Sequence, residues 1–143
     1  MKIVRTGSAV WEGGLRDGKG AISTESGALK QYPFGFASRF EGKPGANPEE
    51  LIGAAHAGCF SMALALMLSE AKHPARRLET SAQVTLEQIQ GGYAITAVHL
   101  KLRAEVPGIE RPAFEKLAAE AKAGCPVSKL LNANITLEAE LAA

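Results

Sequence analysis

The longest apolar run in the chain is LIGAAHAGCFSMALALMLSEAK, residues 51–72. Apolar residues recur at nearly every helical position, including Leu51, Ile52, Ala55, Cys59, Phe60, Met62, Leu64, Leu66 and Leu68. A helix that is apolar all round must be buried on most sides. One small chain is a poor cover for it, so the pattern points to a dimer. Its start is signalled by Asn47 as N-cap, Pro48 at the first helical position and Glu50 three residues after Asn47. Lys72 and His73 suit the negative pole, and Pro74 ends the run. The spacing predicts a helix over 48–72.

Before this helix the pattern is shorter and richer in glycine. KIVRTGSAVW, KGAISTES and FGFASRFE are expected to be three strands, parted by GG, DGKG and PFG turns. After it, LETSAQVTLEQIQ and YAITAVHLKLRAEV flank a QGG turn. In the second of these, Thr96, Val98, Leu100, Leu102, Ala104 and Val106 share one face. From His99 onward the other face is polar, as expected of a sheet with one wet side. RPAFEKLAAEAKA is a second helix stopped near Gly124, CPVSKLL a short further helix, and NANITLEAEL a last strand with Ile135, Leu137, Ala139 and Leu141 inward. The order βββ–α–ββ–α–β implies an α+β class, with antiparallel sheets around a long central helix. No repeat or linker divides residues 1–143, so one domain is expected.

Composition narrows the function classes. The net charge is +1, and the densest basic spot is ARR at 75–77, so nothing marks a nucleic-acid footprint. His56, Gly58, Ser61, Ser69 and Glu70 interrupt the apolar run, which favours a buried helix over a membrane span. MKIVRTGSAVWEG carries no apolar signal core. A cytoplasmic, reducing location is the expectation, where a redox-active disulfide is more plausible than a permanent one.

The chain has two cysteines. Cys59 reads either as a small core residue or as a controlled thiol. Cys125, between Gly124 and Pro126, falls at a helix start, where dipole and free N–H groups favour a thiolate. Neither a CxxC pair nor a nucleotide-binding or GxSxG motif is present. His56 shares a helix face with Cys59, which leaves open a Cys–His nucleophile, a metal pair or a hydrogen-bonded core histidine. Ser61 and Ser128 lack an obvious His/Asp partner pattern. Glu49 lies ten residues before Cys59, about 15 Å along a straight helix. It is too far to touch the sulfur but able to hold a long cation, for which Arg39, expected on the third strand, is the candidate.

FGFASRFEGKPGANPEELIGAAHAGCFSMALALML, KAGCPVSKLLNANITLEAEL and the opening WEGGLRDGKGAISTESGAL together resemble the osmotically inducible protein C (OsmC) branch of the OsmC/Ohr family, over essentially the whole chain. His56 falls where the Ohr branch typically has an aromatic residue. The resemblance implies an intertwined homodimer with two long central helices wrapped by sheets and two active sites at the subunit interface. It implies a thiol peroxidase that reduces organic hydroperoxides, and hydrogen peroxide less well, in oxidative and osmotic stress defence. Position by position, it makes Cys59 the peroxidatic cysteine, Cys125 the resolving cysteine, Glu49 the orienting carboxylate and Arg39 the catalytic arginine. A Cys59–Cys125 disulfide, reduced by a dithiol of lipoyl type, would close the cycle without metal, haem or flavin. The mechanism asks for a Cys59 thiolate, with Arg39 offsetting desolvation. Phe34, Phe36, Phe60 and Met62 are the expected apolar surroundings of an alkyl peroxide. A non-enzymatic stress protein holding an apolar ligand at the dimer interface, and a Cys59–His56 hydrolase, are the rival readings.

Overall fold

Gly7–Glu12 (β1), Lys19–Thr24 (β2) and Tyr32–Phe34 (β3) form an antiparallel meander in the order β1-β2-β3. The structure is a computed structural model and describes residues 1–142. Its chain forms two units, Met1–Leu51 and Ile52 onward. In the first unit, Gly20 pairs with both Trp11 and Phe34 across the sheet, and the two rings meet at 5.4 Å between centroids. A side chain at Gly20 would collide with both rings. Glycine there lets the aromatics close over the backbone.

FGFASRFE is not a strand. Phe36–Phe40 is a short helix (α1), so Arg39 is helical rather than extended. The buried Ser38 hydroxyl accepts the Gly35 N–H at 2.9 Å and donates to the Ala46 carbonyl at 2.8 Å. It thereby fixes the turn. Phe36 and Phe40, four apart, then stack at 5.0 Å. Aromatics at i and i+4 fit a helical turn; in a five-residue piece they also fit alternation.

Helix α2, Pro48–Glu70, begins as the caps predict. The Asn47 side chain accepts the Glu50 N–H at 2.8 Å. Glu50 answers the Asn47 side-chain amide rather than its backbone, a variant of the capping box. The helix ends two residues short of the predicted 72. Lys72 turns to φ 66, His73 N–H bonds the Leu68 carbonyl and Lys72 N–H that of Ser69, which is a Schellman stop.

In the second unit Arg77–Ile89 (β4) and Gly92–Glu105 (β5) form an antiparallel hairpin. Arg111–Gly124 (α3) and Pro126–Leu130 (α4) then carry the chain across to Asn134–Leu141 (β6). β6 runs parallel to β5. This departs from the all-antiparallel expectation, because a helical crossover rather than a hairpin joins the two strands. The alternation itself holds: Val98, Leu100, Leu102 and Ala104 are buried, and Ile135, Leu137, Ala139 and Leu141 face the same core. The opposite face is wet, with His99 and Lys101 reaching Glu138, and Arg103 reaching Glu140.

The inner face of this sheet shares one core with Phe60, Leu64 and Leu68 of α2 and Phe114, Ala118 and Ala121 of α3. Gly53 brings α2 close to β4, since a Cβ there would stand 3.0 Å from the Ala82 carbonyl oxygen. By length and composition α2 is also apolar enough to cross a membrane. Its inward stripe, however, runs Gly53, His56, Phe60, Leu64, Leu68 against protein. Met62 is 77% exposed and Leu66 60%, so a second apolar stripe faces outward.

Candidate active site

The N-terminal unit holds an ion pair and a cavity. Arg39, near the end of α1, directs Nε at 3.2 Å and Nη2 at 2.7 Å to the same Glu49 oxygen. Glu49, in the first turn of α2, is also where the helix dipole favours a carboxylate. Beside the pair lies a cavity of about 280 Å³ lined by Trp11, Leu15, Phe34, Phe36, Arg39 and Phe40. Phe34 and Phe36, two of the four residues expected around the peroxide, line it. Phe60 and Met62 belong elsewhere: Phe60 is sealed in the core of the second unit, and Met62 points outward. Trp11 and Leu15 were not among the expected lining residues. They come from the first hairpin, and only folding brings them to Arg39.

The C-terminal unit holds both sulfurs. Cys59 on α2 is half-buried and Cys125 fully buried, both as free thiols. The two thiols lie close enough to shift each other's acidity. Cys125 caps two helices at once. Its backbone N–H closes α3 on the Ala121 carbonyl, and its sulfur opens α4 by accepting the Ser128 N–H at 3.4 Å. Pro126 takes the first helical position, where no N–H is missed. The Ser128 N–H then points back at the Cys125 sulfur, and the Val127 N–H lowers the pKa of both thiols.

The thiols differ electrostatically, and not in the order the mechanism presupposed. Burial pushes the Cys59 thiol up, only partly opposed by the Val127 N–H, and the neighbouring Cys125 pushes it further. Burial pushes Cys125 up as well, but the Ser128 hydroxyl, the Ser128 N–H, the Cys59 thiol and the Val127 N–H together outweigh it and hold Cys125 below the usual thiol value. Cys125 is therefore the more acidic of the two thiols.

His56 is fully buried one helical turn before Cys59. Its Nε2 lies 2.7 Å from Ser128 Oγ, across 72 positions of sequence. Ser128 Oγ in turn lies 3.4 Å from Cys125 Sγ. Spacing alone gave Ser128 no partner, but the α3–α4 crossover supplies one. The available signal was its place three residues after a helix-capping cysteine. Burial lowers the His56 pKa, so the ring is neutral. Ser61, the other serine without an expected partner, bonds Thr80 of β4 at 2.7 Å. Among the described residues, no group of three or more His, Cys, Asp or Glu side chains is arranged to hold a metal ion.

Two adjoining thiols of unequal acidity can take a peroxide oxygen and close to a disulfide. Known proteins agree with that chemistry. Residues 40–140 match the family model described as OsmC-like protein. The chain is 54% identical over 141 residues to Peroxiredoxin OsmC of Escherichia coli, covering 99% of each. It is 29% identical to an organic hydroperoxide resistance protein of Xanthomonas axonopodis pv. citri, over 99% of this chain and 96% of that one. Among solved structures, an organic hydroperoxide resistance protein from Elizabethkingia anophelis superposes with a TM-score of 0.72 at 27% identity, covering 99% of this chain and 100% of that one. With the family model matching well over half its length and a relative of that identity spanning nearly all of it, this chain belongs to the OsmC family.

Proposed function

We propose that this chain is a cysteine-based thiol peroxidase that reduces organic hydroperoxides, and hydrogen peroxide less well, in oxidative and osmotic stress defence. The adjacency of Cys59 and Cys125 carries the reading, and the peroxiredoxin and hydroperoxide-resistance relatives support it. Cys59 sulfur attacks the distal peroxide oxygen. An S–O bond forms, the O–O bond breaks, and the thiol proton ends on the departing alkoxide to give the alcohol. Cys125 thiolate then attacks the Cys59 sulfenic acid. An S–S bond forms, and the displaced hydroxide takes a proton to leave as water. An external dithiol, of lipoyl type in this reading, restores both thiols by exchange.

Arg39, oriented by Glu49, is assigned to the peroxide oxygens. Its bond pair to one carboxylate oxygen supports that assignment. The aromatic cavity beside it suits an alkyl or aryl tail, hence a preference for organic peroxides over hydrogen peroxide. The outward stripe with Met62 and Leu66 is assigned to a second copy of the chain, making a homodimer. A cytoplasmic setting with reducing dithiols fits the cycle.

The apolar cavity also suits the rival apolar-ligand reading, but that reading gives the paired sulfurs no role. The deciding experiment measures alkyl hydroperoxide reduction with a dithiol in the parent and in Cys59→Ser. The substitution is expected to abolish turnover; retained turnover refutes the assignment. The rival predicts no peroxide-dependent Cys59–Cys125 disulfide by mass or non-reducing gel.

A further inference from the structure

We infer that His56, acting through Ser128, is a positioning residue that keeps Cys125 as the thiolate that resolves the Cys59 sulfenic acid. The inference rests on the peroxidase reading above and adds two residues to it.

Hydrogen-bond polarity sets the direction of the chain His56 Nε2–Ser128 Oγ–Cys125 Sγ. The neutral ring carries one N–H. His56 Nδ1 is buried with no partner. A buried N–H without an acceptor is rarer than an under-satisfied acceptor, so the proton belongs on Nε2. Nε2–H then donates to Ser128 Oγ. That occupies the hydroxyl as an acceptor and leaves its own O–H free. As a thiol, Cys125 Sγ donates to Ser128 Oγ at 3.4 Å; once ionised it has no proton to give, the contact reverses, and the sulfur receives the Ser128 O–H as well as the Ser128 N–H. Hydrogen bonds to an anion are stronger than those to its neutral form, so the arrangement selects the thiolate.

The opposite tautomer would leave an orphaned Nδ1–H and make Ser128 a donor to His56, withdrawing its proton from the sulfur. Burial enforces the choice. Phe60, Leu64 and Cys125 seal the same core, and among the described residues no carboxylate bonds His56. The titratable groups in this cluster are Cys59 on the same helix and Cys125 at the start of α4.

In the resolving step, Cys125 thiolate supplies the electron pair for the S–S bond and the Cys59 S–O bond breaks. The hydroxide leaves as water with a proton from solvent, equal to the one Cys125 lost on ionising. His56 and Ser128 are unchanged in net protonation. They bias the ionisation and aim the sulfur.

The test separates the two chemical steps. Sulfenate formation at Cys59 is trapped with dimedone after one equivalent of tert-butyl hydroperoxide, and disulfide closure is followed by rapid quench and mass. The parent is compared with Ser128→Ala, His56→Leu and His56→Gln. Each tenfold loss of thiolate is partly returned, about threefold, by higher nucleophilicity. Closure at neutral pH is therefore expected to slow by about three- to tenfold in Ser128→Ala and His56→Leu, and to recover at higher pH. His56→Gln, whose amide keeps an N–H donor, is expected to restore most of the rate.

In a Cys59→Ser background, thiolate ultraviolet absorbance reads the ionisation of the buried Cys125 directly. It should move to higher pH with Ser128→Ala and with His56→Leu. Should His56→Leu fail to fold, Ser128→Ala carries both measurements, since it removes a single oxygen. Unchanged closure and unchanged absorbance overturn the inference, as does a rate loss that higher pH does not recover. A parent that forms neither sulfenate nor disulfide overturns the peroxidase reading beneath it.

Discussion

Arg39 places two guanidinium nitrogens, Nε and Nη2, on a single oxygen of Glu49, at 3.2 and 2.7 Å. The arginine side chain is 36% exposed, so the pair adds little to stability, of order 1 kcal/mol or less. If its purpose is to aim the guanidinium, the loss shows in rate instead. Glu49→Gln is expected to lower alkyl peroxide reduction by about ten- to a hundredfold, the scale of a misplaced reacting group, with the thermal midpoint nearly unmoved. Equal rates in Glu49→Gln and the parent would count against the assignment.

The two cysteines are expected to fail differently. Cys59→Ser should show no oxidation step. Cys125→Ser should still yield one equivalent of sulfenate at Cys59, while losing dithiol-driven turnover by at least about a hundredfold, since the intramolecular attack is gone. Intact-mass measurement after a peroxide pulse distinguishes them. A turning-over Cys125→Ser variant would remove the resolving role.

His56 gives stability a pH dependence of definite sign. Burial holds its folded pKa below the ordinary value of about 6.5. Below that pH the unfolded chain binds a proton that the folded chain refuses. The contribution is fully present above about 6.5 and is lost as pH falls toward the lowered folded value. The urea midpoint of the parent should therefore drop more between pH 7 and pH 5 than that of His56→Gln. Parallel slopes would show that His56 is not the group responsible.

Phe60 is fully buried between α2 and the sheet of the second unit. Phe60→Ala should destabilise by about 3–5 kcal/mol, from lost transfer energy plus the cavity left behind. A urea melt checks this; a change under 1 kcal/mol would mean that the core packs differently.

Met62, two positions further along the same helix, tests the opposite face. At 77% exposure, a charge there would be tolerated in a lone chain. In the proposed homodimer it would be buried without a partner, at a cost of several kcal/mol. Met62→Glu is therefore expected to shift the protein from dimer toward monomer in sedimentation. A parent that sediments as a monomer would refute the dimer.

Local pattern by itself determined much of this molecule. Asn47, Pro48 and Glu50 announce the start of α2, because capping depends on residues within four positions of one another. The alternation from Val98 to Ala104 and from Ile135 to Leu141 marks the buried faces, because side chains in strands alternate strictly. Cys125 before Pro126 marks a helix start for the same local reason. Tertiary structure decided the rest. FASRF has too few residues to separate a helical period from alternation, and the buried Ser38 hydroxyl, bonded to Gly35 and Ala46, settles it. The parallel direction of β6 follows from the α3–α4 crossover. Ser128 meets His56, 72 positions away in sequence, only because that crossover returns the chain to α2. Which sulfur is the more acidic was likewise invisible in the spacing, because acidity here is set by the N–H and O–H groups that the completed fold aims at Cys125.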